Sequence, residues 1–167
     1  EGVEVPESVS YFTKTVIDCP VNVEVYSPEG ELVVTLRDGE ESDISNEHGR
    51  FAVVYRPYTG EYAKVICLRE GGDYRFRLVA SGNGLVSFKM ASKSDQNPVL
   101  YSFDHVAVST DEVIETSVEQ VLQENTYSID ADGNGDFEGT GEILTSVPSD
   151  NIPVQSISLD ETDLNLA

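Results

Sequence analysis

The sequence predicts an all-β fold: an antiparallel β-sandwich of immunoglobulin-like or jelly-roll-like type. Three observations carry that expectation. Apolar and polar residues alternate with a period of two through most of residues 16–109. Turn chemistry rich in Gly, Pro, Asn and Asp interrupts those runs at short intervals. Helical spacing competes in only one stretch, residues 110–122.

Residues 1–15 read as a linker entering the domain, and the sandwich is expected over 16–144. In VNVEVY, Val21, Val23 and Val25 share one face, while Asn22, Glu24 and Tyr26 share the other. Ser27-Pro28-Glu29-Gly30 is a turn, and ELVVTL then puts Leu32, Val34 and Leu36 on one face, which completes a hairpin. The polar stretch RDGEESDISNEHGR at 37–50 reads as a loop. FAVVY and EYAKVICL read as strands either side of Pro57 and Gly60. DYRFRLVA and LVSFKMA alternate around the hairpin turn SGNG, and LYSFDHVAVS adds one or two strands. Residues 110–122 (TDEVIETSVEQVL) fit helical spacing at Ile114, Val118, Val121 and Leu122, but their β-branched content favours a strand. The expected core is Val21, Val23, Val25, Leu32, Val34, Phe76, Leu78, Val86 and Phe88.

With 167 residues the chain has room for about one domain. It starts with Glu and lacks a charged start leading into an apolar run, so a signal peptide is expected to be absent or already removed. No apolar stretch approaches the roughly 20 residues of a membrane span, so membrane insertion is not expected. All ten Lys and Arg lie at or before Lys93, so residues 1–93 carry −5 and residues 94–167 carry −16 of the formal −21. Nucleic acid as a partner is excluded on this ground, because phosphate needs neutralising cations. A protein of this charge attracts cations, and the charge also serves solubility.

One stretch looks like site chemistry. In SIDADGNGDFEGTGE, oxygen-bearing side chains fall at alternate positions: Asp130, Asp132, Asn134, Asp136 and Glu138. Calcium takes six to eight oxygens, and an EF-hand loop draws them from positions 1, 3, 5, 7, 9 and 12. Asp130, Asp132 and Asn134 fit positions 1, 3 and 5, and Gly135 fits the glycine at 6. Position 12 is Gly141, with Glu142 one residue late, and neither flank is helical. A calcium-stapled β loop is therefore expected rather than an EF-hand. The alternative is a glycine-rich turn without metal, because DGNG is good turn chemistry in its own right.

Other chemistry finds less support. Tyr55, Tyr58 and Tyr62, near Arg56, offer rings for a glycan, although tyrosines in β proteins more often fill sheet faces. His48 lies in a polar loop and His105 beside a strand, with no nucleophile paired to either. Cys19 and Cys67 are either buried thiols or a single bridge. No nucleophile elbow, phosphate loop or dinucleotide glycine pattern occurs.

Two resemblances extend this reading. The last residues, IPVQSISLDETDLNLA, resemble the opening strand of a group 2 bacterial immunoglobulin-like domain. Residues 145–167 are thus expected to be a linker plus the start of a following module, outside the main core. The body is similar to a β accessory domain of secreted or surface multidomain proteins of Firmicutes. The matching residues are Cys19 to Tyr26, Gly30, Leu32-Val33, the D-Y-x-x-x-L run from Asp73 to Leu78, Gly82-Asn83-Gly84, and Phe103 to Val106. This implies an extracellular or wall-attached setting, neighbouring domains of the same chain as partners, and no catalytic residues. The expected function is a non-catalytic accessory module, possible alternatives being a carbohydrate-binding module and a fragment of a secreted hydrolase.

Overall fold

The computed structural model describes residues 11–18, 20–92 and 99–146. Two antiparallel sheets pack face to face as a sandwich, as the alternating pattern predicts. In chain order the strands are β1 (Thr13–Asp18), β2 (Val21–Tyr26), β3 (Leu32–Leu36), β4 (Ser42–Asn46) and β5 (Gly49–Arg56). Next come β6 (Glu61–Leu68), β7 (Arg75–Ala80), β8 (Gly84–Ser92), β9 (Val99–Val108) and β10 (Val113–Ser117). The last three are β11 (Thr126–Asp130), β12 (Gly139–Glu142) and β13 (Leu144–Ser146). Sheet A runs β13-β9-β8-β1-β6-β5-β4, and sheet B runs β12-β11-β10-β7-β2-β3.

Eight of the nine expected core residues are buried. The exception is Leu32, which is 56% exposed. Val25 pairs with Val34, but Tyr26 pairs with Leu32, so Val33 is an extra residue in the ladder. That bulge breaks the alternation and turns Leu32 outward, while Val34 and Leu36 stay in the core. A contiguous aromatic run crosses between the sheets: Phe76 meets Phe88 edge-on, Phe88 stacks on Phe103 at 5.3 Å, and Phe103 lies 4.2 Å from Tyr127.

Four boundaries differ from the sequence expectation. Strand structure starts at Thr13 rather than Val16, because β1 turns Thr13 and Thr15 inward where the expected apolar residues would be. Residues 37–50 are not all loop: β4 lies there, a polar edge strand paired with β5 alone. Residues 110–122 divide, with β10 covering the β-branched half and a single π-helical turn, Gln120–Glu124, following it. Asn125 closes that turn in a left-handed conformation, donating its N–H to the Gln120 carbonyl at 2.9 Å. The expected linker starts at residue 145, but Thr145 and Ser146 belong to β13 and pair with Tyr101 and Leu100 of β9, so strand pairing extends past the expected boundary. The rest of that linker and the following module lie outside the described residues, as does Cys19. Cys67 is a buried free cysteine.

One inward position of sheet A is charged. Lys64 on β6 faces the core between Val53 of β5 and Ile17 of β1, and it is fully buried. Its Nζ donates to Asp38 Oδ1 at 2.6 Å and to the Tyr62 carbonyl at 3.2 Å. Asp38 sits in the connection that carries the chain from β3 in sheet B to β4 in sheet A. Its own N–H donates to Asn22 Oδ1 at 2.7 Å.

The pair is asymmetric, since the Asp38 side chain is 25% exposed and Lys64 is not exposed at all. Asp38→Ala strands a buried ammonium and should cost about 3–5 kcal/mol in urea unfolding. Lys64→Met keeps the volume and leaves only a carboxylate that water can reach, so it should cost less than about 2 kcal/mol. Equal losses from the two changes would show that the ion pair is not what holds this corner.

Candidate metal centre

The oxygen-rich stretch forms the connection between β11 and β12 at one edge of sheet B. Asp130 ends β11, paired with Val113 of β10, and its side chain is only 1% exposed. Both of its oxygens receive amides from its own loop: Oδ1 from Asn134 at 3.2 Å and Oδ2 from Gly135 at 2.7 Å. The chain therefore folds around Asp130. Glycine is required where it does so. Gly135 has φ +99°, and Gly133 has φ +72°, where a Cβ would lie 2.7 Å from the Asp111 carbonyl. Glu138 closes the loop, accepting the Ala131 N–H on Oε1 at 3.0 Å, while its own N–H donates to the Ile129 carbonyl.

The structure brings three of the five expected ligands together. Carboxylate oxygens of Asp130, Asp132 and Glu138 lie within 4.8 Å of one another. Asn134 adjoins this group through its Nδ2, 3.3 Å from Asp132 Oδ2, but its Oδ1 accepts the Asp136 N–H at 2.8 Å. The Asp136 carboxylate is not in the group. Three carboxylates offer up to six oxygens, enough for a hard divalent cation with water completing the shell.

The charge on Asp130 is held in place. Burial raises its pKa, but hydrogen bonds from the Gly135, Asn134 and Gly133 amides and one shared with the Asp132 carboxyl outweigh it. The net effect leaves Asp130 below the ordinary carboxylate value of 3.8. An anion that persists inside a loop of like charges is a suitable first ligand for a cation.

The other candidates do not assemble into a second centre. Tyr55 and Tyr62 are cross-strand neighbours with centroids 5.1 Å apart, but their rings tilt at 55° and offer no flat platform. Tyr58 stands fully exposed in the β5–β6 turn. His48 Nδ1 is 2.8 Å from the Tyr74 hydroxyl. His105 occupies a bulge in β9 with φ 56°, where its N–H donates to Ser87 Oγ. Burial pushes the Cys67 thiol up, against smaller pulls from Lys14 and Arg50, which leaves it a poor nucleophile. Less legible in the sequence was the outer face of sheet B, where Glu24 pairs with Arg77 at 3.2 Å and Arg75 with Glu115 at 2.9 Å. The only signal for it is the polar half of the alternation in β2, β7 and β10.

A depressed native pKa means that the folded state binds fewer protons than the unfolded chain in acid. The stability from Asp130 is therefore present above the unfolded value of 3.8 and is lost as pH falls through the lower folded value. Asp130→Asn should lower the melting temperature at neutral pH and flatten its decline below pH 3.8 relative to the native chain. Parallel declines in melting curves recorded across that range would remove Asp130 from the acid response.

No family model, no curated protein and no solved structure matches this chain.

Proposed function

We propose that this domain is a calcium-stabilised, non-catalytic β-sandwich module of a secreted or cell-surface protein, which spaces or supports neighbouring domains of the same chain. The single observation that carries the reading is the convergence of Asp130, Asp132 and Glu138 on one point of the β11–β12 loop. Two unit charges about 4 Å apart repel by about 1 kcal/mol even in water-like surroundings. A divalent cation converts that repulsion into attraction. The loop's own segment supplies no competing cation, since no Lys or Arg occurs after Lys93. Calcium suits the oxygen set better than magnesium, which keeps its waters and demands a stricter octahedron. A loop with so few protein ligands belongs to the weak extracellular class, roughly 10⁻⁴–10⁻³ M.

The non-catalytic part of the reading rests on how the reactive side chains are engaged. His48 is bonded to Tyr74, His105 shapes a bulge, and the Cys67 thiol is buried. The extracellular setting and the neighbouring domains rest on the sequence resemblances alone.

Thermal unfolding in EDTA and then in millimolar calcium tests the proposal. Calcium at tenfold over its Kd should stabilise the fold by about 1.4 kcal/mol. Asp132→Ala should remove that increment and leave the calcium-free transition nearly unmoved, since Asp132 is exposed. Superimposable transitions with and without calcium, together with no heat in a calorimetric titration, would make the loop a turn and nothing more.

A further inference from the structure

A polar groove of about 250 Å³ lies on sheet B, beside the loop just described. Arg75 and Glu115 lie on adjacent strands, the β2–β3 turn forms one side, and Gln120 of the π-helical turn and Phe137 of the β11–β12 loop contribute others. Asp73 and Ser128 complete the set of groups used below.

These side chains are held in place before any ligand arrives. Arg75 Nε donates to Glu115 Oε2 at 2.9 Å, and its guanidinium stacks over Tyr26 at 4.5 Å. Gln120 Nε2 donates to Thr126 Oγ1 at 3.1 Å and to Ser128 Oγ at 3.4 Å. Asp73 accepts the Glu119 N–H at 2.9 Å. Groups fixed in this way lose little side-chain entropy on binding. Phe137, by contrast, is an aromatic ring 43% exposed in a loop otherwise made of small and polar residues.

The lining selects a ligand class. An apolar ligand would strip water from the donor and acceptor sites these groups still have free, such as Gln120 Oε1 and the second oxygens of Asp73 and Glu115, which costs about 1–3 kcal/mol per group. An anion meets Asp73 and Glu115 and the field of a chain with net charge −21. A cation meets Arg75, already paired with Glu115 across the floor. What remains is a neutral molecule dense in hydroxyls, each both donor and acceptor, with a C–H face for an aromatic ring. We infer that this groove binds a neutral saccharide, hydrogen-bonded by Arg75, Glu115, Asp73 and Gln120 and packed against Phe137. This site is separate from Tyr55, Tyr58 and Tyr62 on sheet A, and it does not require that the loop bind calcium.

The test is an array of immobilised neutral, acidic and amino-sugar glycans, probed in EDTA and again in calcium, followed by calorimetric titration of the best binder. Binding to a neutral glycan is expected, weakened about tenfold by Gln120→Ala and by Phe137→Ala, as the loss of one good contact implies. Tyr58→Ala should leave it unchanged. Unaltered melting temperatures in the variants establish that the groove, rather than the fold, was changed. Should Gln120→Ala unfold the domain, Phe137→Ala on its exposed ring decides alone. The inference is overturned by the absence of any glycan binding in both buffers, by binding confined to acidic or cationic probes, or by binding lost in Tyr58→Ala and kept in Phe137→Ala. Because the array is also read in EDTA, a failure of calcium binding leaves this result intact, and the reverse also holds.

Discussion

A fully buried lysine constrains the whole sandwich. Lys64 occupies an inward position of a central strand, flanked by Ile17 and Val53, where every other consideration favours an apolar side chain. A charge there is tolerable only with a partner within hydrogen-bond reach. Asp38 supplies it, and Asp38 lies where the chain leaves sheet B for sheet A. The Asn22 side chain holds the Asp38 amide, and Ser81 Oγ lies 3.5 Å from Asp38 Oδ2 and 3.0 Å from the Pro20 carbonyl. The start of β2, the exit of β3, the exit of β7 and the middle of β6 thus meet at one carboxylate. Shifting β6 by one residue would place Ala63 or Val65 opposite that carboxylate and turn Lys64 out of the core. The pair therefore ties the β3–β4 crossover to the centre of sheet A and adds to the register that the inward Ile66 and Leu68 of β6 already impose.

The fold was largely legible because strands such as β2 and β7 obey the period of two without interruption. Val21, Val23 and Val25 on β2 and Phe76 and Leu78 on β7 are buried as the alternation requires. Misreadings cluster where another force overrides the pattern. Leu32 is displaced by a bulge, whose signal is only an extra residue in one strand of a pair. Thr13 and Thr15 look polar, yet they line the inner face of β1, where their β-branched shape packs well. β4 reads as loop because an edge strand with polar residues is still stabilised by its one ladder to β5.

The candidate metal site was legible in composition and not in geometry. Alternate spacing suggests five equivalent ligands, but a loop closing on itself cannot treat them alike. Asp130 is drawn in to receive the loop's amides, Asn134 turns its oxygen to the backbone, and Asp136 falls outside the group. Those roles are set by the positive φ values at Gly133 and Gly135, which spacing does not encode. The outer face of sheet B was harder still to read, because its groove joins residues from distant strands and a turn.

The position of β1 has a consequence for how the chain reaches this structure. β1 is the first described strand in sequence, yet it lies between β6 and β8 in sheet A. Residues 13–18 must therefore wait for residues 63–68 and 87–92 before either of their ladders can form. Such long-range pairing requires large loops to close before contacts compensate for them, which slows folding. During a synthesis that runs from the N-terminus, β6 emerges with one unpaired edge, and β8 joins β6 only through β1. Until β1 docks, those two edges are open to pairing with other chains. The polar inward Thr13 and Thr15 make the waiting strand less adhesive than a Val-rich one would be.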